Sequence, residues 1–222
     1  VSSAPASVQA PPTAADATAL CCGEVSNPGK LLDRVIDSMH VDDRWQPHVH
    51  IEWATGLQDQ PSGSSGPDRA THCSSFTAAL GLKLDVYMLR PPEHSQQLLA
   101  SAQGEWFRSP GGVQAGWTSV PTAAEAQTLS NAGKLVVVVY ESPEPRRPGH
   151  VAIVRPFPKT NADLAENGVQ TAQAGAKNFS SGVARVSFAK HEGAWPNGVR
   201  YYVHTIDWQK LIAKWSDQAK KN

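Results

Sequence analysis

Two short stretches in the second half of the chain are apolar at every position. Leu135–Tyr140 reads Leu-Val-Val-Val-Val-Tyr, and residues 151–154 read Val-Ala-Ile-Val. Runs this short, rich in β-branched residues, are too brief for buried helices and read as strands inside a core. Residues 169–174, 183–188 and 199–206 read as further strands. Their polar or glycine connections imply a meandering, mostly antiparallel sheet.

The segments before this sheet carry helical spacing instead. Asn27 is read as a cap and Pro28 as the first helical residue, and Leu31, Leu32, Val35, Ile36 and Met39 then recur on one face up to about His40. Residues 73–81 read as a short helix with Phe76, Ala79 and Leu80 on one side. Asp68 or Thr71 is expected to cap it, and Gly81 to end it in the left-handed conformation. Residues 95–103 form another helical segment. A fourth starts at Thr122, whose spacing to Glu125 is a capping box, and ends near Gly133. A last helix follows Asp207, with Trp208, Leu211, Ile212 and Trp215 at helical intervals. Helices first and strands later is an α+β order. The sheet must bury a face, and the helix that begins at Cys73 is the element expected to cover it. No internal repeat is visible.

A chain of 222 residues suffices for one domain with a sizeable core. Residues 1–22 read as an Ala/Pro/Ser-rich tether, and 23–222 as the domain, with a helical insertion at about 91–133. The tether composition suits a segment behind a cleaved export signal, so a secreted or periplasmic location is expected. With 20 basic and 20 acidic residues the net charge is zero. Nothing in that balance draws in nucleic acid or an anionic membrane surface. No apolar run approaches the roughly 20 residues of a spanning helix. Three cysteines, Cys21, Cys22 and Cys73, leave at least one thiol outside any disulfide. Cys21 and Cys22 pair with each other, with another chain or with nothing.

Cys73 stands alone in a patterned segment, at a helix start. Free backbone N–H groups and the helix dipole there favour a thiolate, the reactive form of cysteine. His150 opens an apolar strand after Pro148-Gly149, a place where a core does not choose imidazole without a polar partner. A strand end also holds a base rigidly. If residues 169–175 return antiparallel to His150's strand, Gln173 lies beside His150 and orients it. Asn178 is the second choice, and Gln170 falls at the far end. The pattern is that of a nucleophile, a base and an orienting amide. The Cys73 amide is one expected oxyanion donor, with Trp53 or His72 as candidates for the second. Residues 105–117 read as an aromatic and glycine-rich loop, whose Trp106 and Trp117 either stack on a substrate's sugar rings or pack the domain. Together with Asn178 they are the candidate substrate-binding residues. His48 and His50, with His40 nearby, lack an acidic or cysteine partner at metal-ligand spacing, so no metal or cofactor is called for.

The order of these residues resembles that of the NlpC/P60 and CHAP group of papain-like amidases. Pro148-Gly149-His150-Val151-Ala152-Ile153-Val154 is similar to that group's Gly-His-Val strand, and Ala172-Gln173-Ala174-Gly175 falls where it places a third polar residue. The resemblance spans about residues 66–190. Cys73 is followed by Ser-Ser-Phe, and 77 residues separate it from His150, longer than in compact members of the group. The resemblance implies a papain-like antiparallel sheet with the nucleophile helix packed on it. It also implies a Cys73–His150–Gln173 triad, and cleavage of amide bonds in peptidoglycan stem peptides. A non-catalytic wall-binding module on the same fold is the alternative from another class. A toxin-like amidase delivered to rival cells, with an immunity or inhibitor protein as partner, shares the same chemistry.

Overall fold

The computed structural model describes residues 17–61, 71–144 and 146–220. Most of the expected tether and residues 62–70, Asp68 among them, lie outside these. The described residues form eight helices and a six-stranded antiparallel sheet.

The helix α1 (Asn27–Asp37) is capped one residue earlier than expected, by Ser26, whose Oγ accepts from the Gly29 N–H at 3.1 Å. Then come α2 (Cys73–Lys83), α3 (Leu99–Phe107), α4 (Pro110–Gln114), strand β1 (Thr118–Val120) and α5 (Ala123–Asn131). They are followed by β2 (Leu135–Tyr140), β3 (His150–Val154), α6 (Asn161–Asn167), β4 (Gln170–Gln173), β5 (Phe179–Val183), α7 (Ala184–Ser187), β6 (Arg200–His204) and α8 (Trp208–Ala219). The sheet runs β1-β6-β2-β3-β4-β5.

The two apolar runs lie side by side at the centre, Tyr140 opposite His150 and Val136 opposite Val154. Every residue of both strands is buried, because helices cover both faces of the sheet rather than one. Val137, Val139, Val151 and Ile153 pack with Leu32 and Ile36 of α1, Phe76 and Leu80 of α2, Phe107 of α3 and Leu211 of α8. On the other face Val136, Val138, Ala152 and Val154 pack with Ala126 of α5, Ala184 of α7 and Phe188. The alternation of strand side chains therefore sorts the central residues between two cores.

Four expectations shift. Residues 95–98 are not helical; Leu98 is left-handed (φ 57°), and α3 starts only after it. The stretch from Trp106 to Trp117 is no loop: Ser109 Oγ accepts from the Gly112 N–H, Pro110 occupies the first turn, and α4 results. Of residues 183–188 only Val183 is strand, the end of β5; α7 follows, with Ala184 and Phe188 turned to the same core at the helical interval of four. Gly81 stays within α2. A Cβ there would lie 2.9 Å from the Val86 carbonyl, so its absence serves close packing, and the chain reverses at Asp85 (φ 56°).

The chain's early segment joins the domain before residue 23. Cys22 is buried, Cys21 and Cys22 form a disulfide, and the Cys21 N–H donates to the Lys159 carbonyl at 3.0 Å. Asn131, at the end of α5, fixes this segment. Its Nδ2 donates to the Cys22 and Gly23 carbonyls at 3.2 and 3.1 Å, and its Oδ1 accepts from Gln127 Nε2 and the Phe157 N–H at 3.0 and 2.9 Å. All four positions of a buried amide are thus used. Asn131→Leu removes them while filling the volume, and we expect a loss of about 3 kcal/mol. The urea midpoint measures it; an unchanged midpoint contradicts the assigned role.

Candidate active site

The first turn of α2 meets the first peptide of β3. Cys73 is the first residue of its helix, and its thiol is free and 4% exposed. No side chain caps the helix at His72, so the N–H groups of its first turn are open to the sulfur. Burial pushes the Cys73 thiol up from the ordinary range. The amide of Val151, the amides of Ser74 and Cys73 itself, and the Ser74 hydroxyl pull the other way. The Val151 amide is the nitrogen of the His150–Val151 peptide. The sulfur therefore lies against the very peptide bond that carries His150.

His150 is likewise 4% exposed. Its Nε2 donates to Gln173 Oε1 at 2.7 Å, and Gln173 Nε2 donates to the Lys177 carbonyl at 3.0 Å. Because Lys177 offers only an acceptor, the amide of Gln173 must turn its oxygen to the ring. The proton of the neutral imidazole then sits on Nε2, leaving Nδ1 as the basic nitrogen. The return of β4 that places Gln173 is visible in the register, where Ile153 faces Ala172. Gly149 is required before the histidine, since a Cβ there would stand 2.3 Å from the Tyr140 carbonyl.

The ring of His150 meets Phe188 edge-on, with centroids 5.0 Å apart, and His191 face to face at 5.0 Å and 14°. Phe188 belongs to the core opposite α2, so the imidazole leans away from the face on which Cys73 packs. No hydrogen bond joins the two side chains. Burial lowers His150 to about 4, against the opposing bond from Gln173, and burial together with the neighbouring His150 lowers His191 to about 4. Thiol and imidazole thus rest neutral at pH 7, not as the thiolate–imidazolium pair that a helix start and a nearby histidine suggest. His191 also lines a cavity of about 280 Å³ with Tyr140, Glu144, Arg147, Lys190 and Glu192.

The other expected residues take different places. Asn178 is a brace: its Oδ1 accepts from the Gly175 N–H, and its Nδ2 donates to the carbonyls of Val41, Arg44 and Trp45. It neither orients His150 nor offers a free amide to a substrate. Trp117, 1% exposed, is core and donates its ring N–H to the Tyr87 carbonyl, so it presents no stacking face. Trp106 is half-buried, edge-on to Tyr87. Gln170 bonds Ser181, away from His150. His72 uses Nε2 on the Val49 carbonyl at 2.9 Å, and burial lowers its pKa. His50 pairs with Asp59, and the described residues contain no group of three or more metal-ligating side chains.

Sequence reasoning passed over His191, Phe188 and Gln103. Gln103 is wholly buried, and its Nε2 donates to the carbonyls of Ser74 and Leu89 at 3.1 and 2.9 Å. It lashes the first turn of α2 to the segment that follows Met88. A glutamine on the inner side of α3 is a signal only once α3 is placed correctly. For His191, in Lys190-His191-Glu192, no local pattern marks it.

No protein-family model matches this chain, and no curated protein matches it.

The buried histidines tie stability to pH. The unfolded chain binds protons on both near the ordinary imidazole pKa of about 6.5, while the folded protein does not until about 4. Stability is therefore complete above pH 6.5 and falls as the pH drops through that window. The cost is roughly 3 kcal/mol from His150 alone. We expect the melting temperature to decline from pH 6.5 to 4, and His150→Gln to flatten the decline. A flat wild-type profile contradicts the neutral, buried assignment.

Proposed function

We propose that the chain is a cysteine hydrolase of papain-like fold that cleaves amide bonds, with bacterial cell-wall peptides as its substrate class. The observation that carries the reading is the lodging of a free thiol, at a helix start, against the peptide of a strand-opening histidine whose far nitrogen is held by an amide oxygen. The antiparallel sheet with α2 packed on its central strand supports the fold.

In the proposed reaction Nδ1 of His150 takes the Cys73 proton as sulfur attacks the carbonyl carbon. The carbonyl oxygen becomes an oxyanion beside the first-turn amides of α2. The protonated ring passes its proton to the departing amine, leaving a thioester. Water, deprotonated by the same ring, adds to the thioester carbonyl; collapse expels Cys73 sulfur and yields a carboxylic acid. Gln173 moves no proton. Its oxygen fixes the tautomer and stabilises the imidazolium. Catalytic hydrogen bonds are often long in unliganded enzymes and tighten in the complex, which the missing thiol–imidazole bond requires here. Export of the protein, and an immunity or inhibitor partner, belong to the same proposal and rest on composition and resemblance alone.

A second reading, a non-catalytic wall-binding module, is favoured by one fact: the thiol is only 4% exposed. The hydrolysis assay separates the two, and alkylation tests the neutral resting thiol that both share. The raised thiol pKa implies slow reaction of Cys73 with iodoacetamide at neutral pH, accelerating only above the usual thiol value of about 8.5. A titration midpoint below pH 7 contradicts the neutral resting pair.

Cell-wall fragments incubated with the protein and read by mass spectrometry test the activity itself. Cys73→Ala should abolish release of new amine and carboxyl termini, a loss of about 10⁴-fold or more, while circular dichroism shows the fold retained. Gln173→Ala should retain part of the rate, down about 10- to 100-fold, and Gln170→Ala should stay near wild type. Undiminished hydrolysis by Cys73→Ala removes the reading.

A further inference from the structure

A second cluster stands beside the first turn of α2, and the proposed reaction makes no use of it. Arg90 lies over the Trp53 ring with its guanidinium carbon 5.8 Å from the centroid, and over Tyr87 at 5.1 Å. Tyr87 is braced in turn by the edge of Trp106, at 5.4 Å. Aromatic faces attract the guanidinium, but they leave its N–H edge unsatisfied, with five donors in one plane. Among the described residues no carboxylate pairs with Arg90 and no side-chain or backbone oxygen accepts from it, Glu93 three residues on included. The three partners Trp53, Arg90 and Trp106 are half-buried, and Tyr87 is 36% exposed, so solvent reaches the site.

The cluster is tied to the nucleophile's helix from both of its segments. Leu89, next to Arg90, shares the Gln103 amide with Ser74, next to Cys73. Gln96 accepts from the Ser75 hydroxyl at 3.0 Å. On the other segment, His72 bonds the Val49 carbonyl, and Trp45 donates to the Trp53 carbonyl while meeting Phe76 of α2 edge-on. The Arg90–Trp53 contact thus joins two segments that each anchor beside Cys73.

We infer that Arg90, held by Trp53 and Tyr87, is a receptor for a carboxylate of the peptide substrate. The inference rests on the proposed hydrolase reading for its choice of ligand. A guanidinium fixed in plane and left unpaired matches a planar two-oxygen acceptor, which it binds through two parallel N–H···O bonds. The two ring contacts restrict the side chain before any ligand arrives, so less ordering is lost on binding. Lysine supplies the charge but not the fork.

Isothermal calorimetry on the full chain carrying Cys73→Ala tests this without turnover. The probes are a soluble cell-wall stem peptide with free carboxylates and the same peptide with its carboxylates converted to carboxamides. The carboxylate form should bind about ten-fold tighter or more. Arg90→Gln on the same background should bring the two affinities within about two-fold, and Arg90→Lys should restore only part of the difference. Equal affinities with Arg90 present, a preference that survives Arg90→Gln, or no binding of either peptide overturns the receptor. Hydrolysis of both peptides at equal efficiency by the unsubstituted protein overturns the receptor and leaves the hydrolase standing. A ten-fold binding preference with no hydrolysis of either peptide supports the receptor and overturns the hydrolase.

Discussion

The structure hangs on one junction, the docking of the open end of α2 against the first peptide of β3. A helix start carries unpaired N–H groups, and a strand's first residue carries a peptide not yet committed along its whole length to the ladder. Placing a sulfur atom between them gives both sets of donors an acceptor. The junction is stable only because everything behind it is dry. Residues 73–81 of α2 are all buried, and β3 is buried along its full length. Gln103 and His72 then secure the turn to its two flanking segments. A helix amphipathic in the usual way would sit on the sheet like a lid. This one is enclosed on all sides, and so its first residue is fixed in position.

The same enclosure explains the charge state. A helix dipole and a histidine both favour a thiolate in water, yet here desolvation is the larger effect on sulfur and on imidazole alike. His191 is lowered too, by burial and then by the stacked His150, since two stacked imidazoles cannot both hold a proton at low cost. Gln173 works against burial by giving Nε2–H an acceptor, but one neutral hydrogen bond does not offset the loss of water around a full charge. An amide in place of a carboxylate as the third residue is consistent with this: a carboxylate would favour the imidazolium in the resting protein.

Much of this was legible in the residues, and the failures have physical causes. The two apolar runs gave β2 and β3 because no helix is so short and so uniformly apolar. The Thr122 and Asp207 caps were sound because a side-chain oxygen three residues before a free N–H is a local arrangement. His150 and Gln173 came out together because β4 returns antiparallel to β3, although the connection carries α6. What failed depended on contacts distant in sequence. Gly81 serves the close approach of Val86, Trp117 fills a core under Phe107, and Ala184 and Phe188 answer to the second core at helical rather than strand spacing. His191 reaches His150 across 41 residues with nothing in its own neighbourhood to announce it.

The neutral pair places a condition on the proposed chemistry. If both groups rest uncharged, sulfur is activated only as the ring removes its proton, and the charge that develops must be met at once by donors already in place. Those donors are the amides of Val151, Ser74 and Cys73 that now surround the sulfur. They cannot serve the sulfur and an incoming carbonyl oxygen equally well, so a bound substrate competes for them. As the oxyanion takes some of these N–H groups, the sulfur loses hydrogen-bond donors and is left the more nucleophilic. The ring, leaning on Phe188 and His191, must at the same moment bring Nδ1 toward the sulfur while Gln173 keeps hold of Nε2. Gln173 sits at the end of β4, and its amide is braced by the Lys177 carbonyl. In the proposed reaction the substrate would complete the catalytic arrangement, and the buried thiol would stay shielded from solvent until then.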